Sequence, residues 1–202
     1  MTLDERELPG LYLLWPDHLL SEPPRAETPA GYLSRPYAAG DDEELRRLLG
    51  RESWVASDEE WQDYKDRILP AGLFLILHAE TNALAATAGA VHNPNPGRYY
   101  FPFGGELGNV FVRPEHRGRR LGYLASALVV ERFIGAGYES IRVCVQGFRL
   151  AAVKTYLRLG FVPFLHSDEV CARWERLCGR VGRPFEPERW PRHNNGMHPT
   201  PR

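Results

Sequence analysis

The chain has 202 residues, 43% of them apolar and 25% charged, and its net charge at pH 7 is −1. This length suits one domain with a terminal extension and is sufficient for a buried core. The near-neutral charge gives no reason to expect nucleic acid or an anionic membrane as a partner, so any basic patch must be local.

The start of the chain, MTLDERELPG, lacks the apolar core of a secretory signal, and no apolar run approaches the length of a membrane span. The three cysteines, Cys144, Cys171 and Cys178, are an odd number without a Cys-x-x-Cys pair. This pattern argues against a disulfide framework and against a zinc site. We therefore expect a cytoplasmic protein without a metal, in which Cys144, between Val143 and Val145, is a small core residue.

The predicted elements begin with a short strand in GLYLLW, followed by a proline-rich stretch, and we assign residues 1–31 to an N-terminal extension. From residue 32 hydrophobic periodicity predicts the order β-α-α-β-β-β-α-β-α-β, typical of one mixed α/β domain over 32–165. The elements are a strand from 32, helices 41–50 and 57–69, strands 72–80, 83–92 and 106–112, a helix from about 119, strand 137–146, helix 149–159 and strand 161–165. An amphipathic helix at 166–180 and a loose tail at 181–202 complete the chain.

One turn, VRPEHRGRRLG at residues 112–122, concentrates arginine and glycine where a predicted strand ends and a predicted helix begins. A helix start presents unpaired backbone N–H groups and the positive end of the helix dipole. This is a ready anion site, and phosphate is its usual ligand. The pattern matches neither the nucleoside triphosphatase loop nor the dinucleotide fingerprint. A solvated arginine-rich surface remains the alternative for the turn alone.

Two motifs together resemble the GNAT superfamily of acetyl-coenzyme A-dependent N-acetyltransferases. The family loop Gln/Arg-x-x-Gly-x-Gly/Ala corresponds here to Arg117, Gly118, Arg119, Arg120, Leu121 and Gly122, with Arg120 in place of a glycine. The later family motif is matched by Ala152, Tyr156, Gly160 and Phe161, with Arg149 in place of an asparagine. The resemblance covers about residues 32–165.

The resemblance implies a mostly antiparallel central sheet, flanked by helices and splayed between its fourth and fifth strands, here 106–112 and 137–146. The amides of the turn, 117–122, would hold the pyrophosphate of acetyl-CoA. The backbone of Val110, Phe111 and Val112 would pair with the amide-rich pantetheine arm, as a peptide adds to a sheet edge. Arg149 would bind a coenzyme phosphate or line the acceptor site.

Acetyl transfer to an amine needs a proton acceptor, an oxyanion donor and a proton for the leaving thiolate. The resemblance makes Glu106 the candidate base and the amide of Val112 or a neighbour the oxyanion donor. His92, which ends a predicted strand, could share the role of base. Tyr156 would protonate the thiolate. A solvated glutamate and a tyrosine packed at a helix rim are the alternatives.

We therefore predict direct acetyl transfer from acetyl-CoA to a primary amine, either a small molecule or a protein N-terminus, in a ternary complex. Loops 50–72 and 92–105 would line the acceptor, whose identity the sequence does not encode. A homodimer is a further candidate from the resemblance. The first alternative function is a catalytically silent coenzyme A binder that engages a protein partner, suggested by the replaced Gly and Asn positions. The second, an arginine-rich nucleic-acid binder, is disfavoured by the net charge.

Overall fold

The computed structural model describes residues 6, 8–51, 55, 57–92, 99–100, 104–192 and 198–199. The strands are β1 Leu11–Leu14, β2 Tyr32–Pro36, β3 Ile68–His78, β4 Leu84–His92, β5 Tyr99–Tyr100, β6 Gly104–Val112, β7 Ser140–Val145, β8 Val162–Pro163 and β9 His198–Pro199. The α-helices are α1 Asp42–Arg51, α2 Asp58–Asp66, α3 Leu121–Gly135, α4 Leu150–Leu159 and α5 Asp168–Val181.

Seven strands form one sheet in the order β2-β3-β4-β6-β7-β1-β8, and β5 pairs with β9 separately. All pairs in the large sheet are antiparallel except β6 with β7, which is parallel. The predicted mixed, mostly antiparallel sheet is therefore confirmed. The hairpin of β3 and β4 is confirmed as well, with its turn at residues 79–83.

The two faces of the sheet carry separate apolar clusters because side chains alternate along each strand. Leu73, Leu75 and Leu77 of β3 pack with α1 and α2 on one face. Ile76 belongs to a larger cluster on the other face, which includes α3, the alanines of β4, and residues of α4 and α5. The sheet thus lies between two helical layers.

The ends of the helices follow local capping chemistry. Oγ of Ser57 accepts a hydrogen bond from the amide of Glu60 at 3.1 Å, and the amide of Ser57 donates one to Oε2 of Glu60 at 3.1 Å, which fixes the start of α2. The α4 helix ends at Gly160, whose φ of 124° favours glycine. A Cβ there would also lie 3.1 Å from Cδ1 of Leu19, so a side chain at this position would require that leucine to shift.

The predicted end of the second helix is wrong. We expected a helix over 57–69 stopped by Pro70, whereas α2 ends at Asp66 and β3 begins at Ile68. Pro70 lies where the register between β3 and β4 shifts, between the pairs formed by Ile68 and Leu73. A strand tolerates proline at such an irregularity because no ladder N–H is required there.

The first strand lies inside the sheet, although we placed its residues in an N-terminal extension. Leu11 pairs with Val145 and Leu14 with Arg142 of β7, while the other edge of β1 pairs with β8. This strand separates β7 from β8, and its side chains Leu11 and Leu13 are fully buried. The boundary that we drew at residue 31 remains a prediction, but the fold includes residues before it.

The predicted tail also contacts the domain in its described part. The amide of Leu165 donates to the carbonyl of Pro191 at 2.9 Å, and the rings of Phe185 and Trp190 meet edge-on with 5.4 Å between their centroids. Arg183 donates to the carbonyl of Leu157 at 3.1 Å. Residues 182–192 therefore pack against the domain where we expected a loose chain.

Candidate active site

The parallel strands β6 and β7 part after three paired positions. Gly104, Gly105 and Glu106 pair with Ser140, Ile141 and Arg142, and the strands diverge beyond that point. On its other side β6 stays paired with β4, with a register shift near Asn109, whose φ is 51°. A bulge bends a strand and increases its twist, which helps β6 to turn away from β7. The predicted splay between these strands is confirmed.

The splay opens a cleft of about 470 Å³. Four predicted site residues lie in its wall, namely Glu106, Val110, Arg149 and Tyr156. A wider depression of about 600 Å³ lies at α1 and α2, between Asp42 and Trp61. We place the site at the splay because a parted strand edge meets the predicted titratable groups there.

Glu106 lies in an ion pair at the point where the strands separate. Nε of Arg142 donates to Oε2 of Glu106 at 2.6 Å, and the Arg142 side chain is 2% exposed, against 23% for Glu106. Removing one member of such a pair leaves the other charge buried and uncompensated. The candidate base is therefore held in a fixed position and faces the cleft. His92, the second candidate, pairs with Gly105 at the end of β4.

Tyr12 of β1 is a cleft residue that our sequence reasoning missed. Its ring lies 5.0 Å from the guanidinium carbon of Arg142, a cation–π contact, and it pairs in register with Cys144. Burial, followed by the nearby Cys144, raises the pKa of Tyr12 to about 12, against the opposing effect of Arg142. Tyr12 therefore stays protonated at neutral pH and supports the arginine that holds Glu106.

Cys144 is not the core residue that we expected. It is exposed and lines the cleft, because the splay uncovers the side of β7 on which it lies. The surrounding cleft still desolvates its thiol and, with Glu106, raises its pKa to about 11. The thiol is thus protonated at neutral pH and a poor nucleophile.

Tyr156 reaches the cleft from the middle of α4 and is 5% exposed. Burial raises its pKa well above the ordinary value, and the charge of Arg149 only partly offsets this effect. The hydroxyl consequently keeps its proton at neutral pH, which is the state that a proton donor requires. The alternative was a tyrosine packed at the rim of a helix with its hydroxyl in water. In the structure Tyr156 lines the cleft instead.

The arginine-glycine turn is a tight turn that leads directly into α3. A 3₁₀ turn at Pro114–His116 leads into Gly118, with φ 78°, and Arg120, with φ 62°, before α3 begins at Leu121. Residues 117–120 are exposed, Leu121 is buried and Gly122 is half-buried. Arg120, in the place of the family glycine, thus adopts the left-handed conformation that a glycine adopts without strain.

Two long-range contacts fix the strand end that leads into the turn. Arg113 bonds Glu44 of α1 at 3.0 Å, and Nδ1 of His116 lies 2.9 Å from the hydroxyl of Tyr32. Arg117 folds back and donates from Nε to the carbonyl of Val112 at 3.3 Å. The turn therefore presents its backbone from a rigid base.

The three residues predicted to pair with the pantetheine arm have different surroundings. Val110 lines the cleft, Phe111 is buried against the α1 and α2 cluster, and Val112 pairs with Ala86 of β4. Beyond Glu106 the edge of β6 away from β4 has no β7 pairing. Gln146, which we did not predict, also lines the cleft, and its buried Oε1 has no hydrogen-bond partner among the described residues.

The described residues contain neither a metal-binding cluster nor a helix that could span a membrane. No group of three or more His, Cys, Asp or Glu residues there could hold a metal ion. No helix in this part of the chain combines the length and apolar character that a bilayer crossing requires. Loop 92–105, which we expected to line the acceptor, lies mostly outside the described residues.

Comparisons with known proteins agree with this geometry. The model of the acetyltransferase (GNAT) family matches residues 41–161. Mycothiol acetyltransferases from Mycobacteroides abscessus and Kytococcus sedentarius are each 31% identical to the chain, over 62% and 70% of its length. These matches cover 43% and 49% of the two relatives, so the chain spans less than half of their length.

Solved structures show the same fold. A GCN5-related N-acetyltransferase from Sphaerobacter thermophilus is 21% identical, with a TM-score of 0.60 over 77% of this chain and 49% of that one. A GNAT-family acetyltransferase from Colwellia psychrerythraea is 15% identical, with a TM-score of 0.58 over 78% of this chain and 53% of that one. With the family match and the splayed sheet, these likenesses confirm the resemblance: the chain belongs to the GNAT family of acetyltransferases.

Proposed function

We propose that the protein transfers the acetyl group of acetyl-CoA to a primary amine by direct attack in a ternary complex. The observation that carries this proposal is the splay cleft, in which Glu106 of β6 and Tyr156 of α4 line one cavity. The two groups suit complementary roles. Glu106 is a carboxylate in an ion pair and can accept a proton, and Tyr156 has a hydroxyl that burial keeps protonated and can donate one. The mycothiol acetyltransferase relatives support an acetyltransferase but, given their partial coverage, do not identify this chain's acceptor.

The coenzyme would bind from the turn into the splay. Amides and arginines of residues 117–122 suit the pyrophosphate, since residues 117–120 are exposed immediately before the start of α3. The edge of β6 at Val110–Val112 and the unpartnered Oε1 of Gln146 suit the amide groups of the pantetheine arm. Arg149 lies in the cleft wall, where it suits a coenzyme phosphate or the acceptor.

The chemistry then follows from the groups in the cleft. The amine nitrogen attacks the thioester carbon, a C–N bond forms, and the C–S bond breaks. Glu106 accepts the proton of the amine, directly or through a water molecule, and the amide of Val112 or a neighbour stabilises the oxyanion. Tyr156 donates its proton to the departing thiolate, which leaves as coenzyme A.

The test combines coenzyme binding with turnover. A ligand that binds only the folded state at 100 times its dissociation constant adds about 2.7 kcal/mol of stability, so acetyl-CoA should raise the thermal midpoint clearly. Release of free coenzyme A in the presence of an amine panel, with mass detection of the acetylated amine, would then establish the activity. A thermal shift without turnover on any amine would favour the silent coenzyme A binder. No shift at millimolar acetyl-CoA would contradict both.

A further inference from the structure

One cleft residue on α2 has a hydroxyl that the fold does not satisfy. Tyr64 is 4% exposed and lines the splay cleft, and its buried hydroxyl has no hydrogen-bond partner among the described residues. Buried polar atoms nearly always have a partner, so an exception calls for an explanation. A tyrosine at this position also lowers the stability of the fold, because phenylalanine would fill the same space without burying an unpaired hydroxyl.

The position of this hydroxyl relates it to the candidate base. A Cβ added to Gly89 of β4 would lie 2.7 Å from the Tyr64 oxygen, so the hydroxyl rests on the backbone of residue 89. Gly89 pairs with Gly108 of β6, and Val91 pairs with Glu106. Residues 89 and 91 lie on the same face of the strand, about 7 Å apart along it.

The Tyr64 hydroxyl and the Glu106 carboxylate therefore flank one patch of the cleft, on the α2 face of the sheet. The cleft lining between them includes Gly108, over which the Val91 side chain packs, because a Cβ at residue 108 would lie 2.7 Å from Cγ2 of Val91. Arg67 also lines this part of the cleft. The turn at residues 117–122, where the coenzyme would enter, belongs to the start of α3 instead. The patch thus lies beside the base, on the side of the cleft that α2 covers.

The hydroxyl is a hydrogen-bond donor at neutral pH, since burial raises the pKa of Tyr64 far above its ordinary value. Its partner in a ligand is therefore an oxygen that accepts a hydrogen bond. The spacing of about 7 Å between residues 89 and 91 matches an amine that hydrogen-bonds at both ends, with its nitrogen at Glu106 and an oxygen one or two carbons away at Tyr64.

We propose that Tyr64 is an acceptor-binding residue, which selects amines that carry a carbonyl or hydroxyl oxygen on the carbon next to the one bearing the nitrogen. This inference rests on the proposed function and goes further, because it names the class of acceptor. Two sources share this chemistry, an α-aminoacyl group and a vicinal amino alcohol. A site that hydrogen-bonds a substrate oxygen discriminates strongly against the analogue that lacks it.

The experiment compares kcat/KM for two matched pairs of amines, in the wild-type protein and in Tyr64→Phe. The first pair is phenylalaninamide and 2-phenylethylamine, and the second is trans-2-aminocyclohexanol and cyclohexylamine. Because the added oxygen also lowers the pKa of the amine itself, the readout is the change that Tyr64→Phe makes in the ratio within a pair. We expect this ratio to fall about tenfold in at least one pair, on the scale of one hydrogen bond. The pair that responds identifies the source of the oxygen.

Two controls separate this role from a structural one. Tyr64→Phe should leave the thermal midpoint unchanged or raised, since the lost hydroxyl has no partner in the fold. Tyr138→Phe, which alters a half-buried tyrosine packed on Phe133 at the end of α3, should leave both ratios unchanged.

The contrary outcomes are distinct. If Tyr64→Phe lowers kcat/KM equally for both members of each pair, or leaves both ratios within twofold, Tyr64 does not select the oxygen and the inference is overturned. If the wild-type protein acetylates none of the four amines, and acetyl-CoA does not shift its thermal midpoint, the proposed function fails and this inference falls with it. Turnover of the two plain amines alone would overturn the inference and leave the proposed function intact.

Discussion

Nε of Arg142 lies 2.6 Å from Oε2 of Glu106, at the last register position before β6 and β7 part. The ion pair thus lies where the two strands begin to separate, and it holds the candidate base in the cleft wall. The guanidinium is itself supported by the Tyr12 ring at 5.0 Å. A strand from the beginning of the chain, a parallel strand pair and the candidate base therefore form one connected unit.

Glu106→Gln tests whether the carboxylate accepts the proton of the amine. We expect kcat to fall by about 10²-fold or more at pH 7, the usual contribution of a positioned base. Raising the pH should restore part of the rate, because a lysine-like amine with a pKa of about 10 then loses its proton without help. Steady-state rates at pH 7 and pH 9 make this measurement. An equal defect at both pH values would assign Glu106 a binding role, and an unchanged rate would place the base elsewhere.

Tyr156→Phe tests the proton donor. The ring stays in place, so we expect the KM for acetyl-CoA to change little while kcat falls by about 10²-fold. Because burial holds the pKa of Tyr156 above its usual range, the wild-type rate should not decline through loss of this proton as the pH rises toward 10. A kcat within threefold of wild type would remove Tyr156 from the mechanism.

Tyr12 predicts a stability change at alkaline pH. Its pKa is about 12 in the folded protein and about 10 in the unfolded chain, so only the unfolded chain gains by ionising between these values. The stability associated with Tyr12 is therefore fully present below pH 10 and is lost as the pH rises toward 12. Free energies of unfolding in urea at pH 8 and pH 11 should differ less in Tyr12→Phe than in wild type. Equal losses in both proteins would show that other groups dominate.

The sequence predicted those site residues that lie in pairs on one element. Glu106 and Val110 share β6, and Arg149 and Tyr156 belong to the start and middle of one helix, so local patterns and the family resemblance were sufficient to bring them together. Arg142 was recognisable only as a charge within an apolar strand, since its partner depends on the parallel register with Glu106.

The residues that we missed depend on long-range pairing. Tyr12 reaches the cleft because β1 inserts between β7 and β8, which no local pattern in the first strand reveals. Alternation correctly placed Cys144 in a strand, but it could not show that the splay leaves its side of β7 uncovered. Tyr64 was hidden for a different reason: helical spacing indicates a buried aromatic, and only the structure shows that its hydroxyl has no partner among the described residues.

Two substitutions in the turn before α3 should change the free energy of unfolding in opposite directions. Arg120 has a φ of 62°, which strains a residue with a side chain, whereas Gly118 at 78° is unstrained. Arg120→Gly should raise the free energy of unfolding by about 0.5–1 kcal/mol, since relief of strain exceeds the entropy cost of glycine. Gly118→Ala should lower it by about 1 kcal/mol. Urea unfolding without ligand measures both changes.

Arg120→Gly also tests whether the charge of this arginine contributes to coenzyme binding. Arg120→Gly should also raise the KM for acetyl-CoA, because it removes a positive charge from the start of α3 while leaving the backbone conformation in place. An unchanged KM would show that this arginine does not contact the coenzyme. A loss of stability in Arg120→Gly would mean that the side chain makes contacts that outweigh its backbone strain.

Leu13→Ala tests whether the first strand is part of the cooperative fold. Leu13 is fully buried in the cluster that includes α4 and α5, and its strand joins β7 to β8. Truncating such a leucine typically costs about 2–5 kcal/mol through lost burial and the cavity left behind. Leu33→Ala in β2 is the matched control, because that leucine is 55% exposed and should cost little. Comparable small losses for both variants in urea unfolding would place β1 outside the folded unit, and the cleft would then lose Tyr12 as a fixed wall.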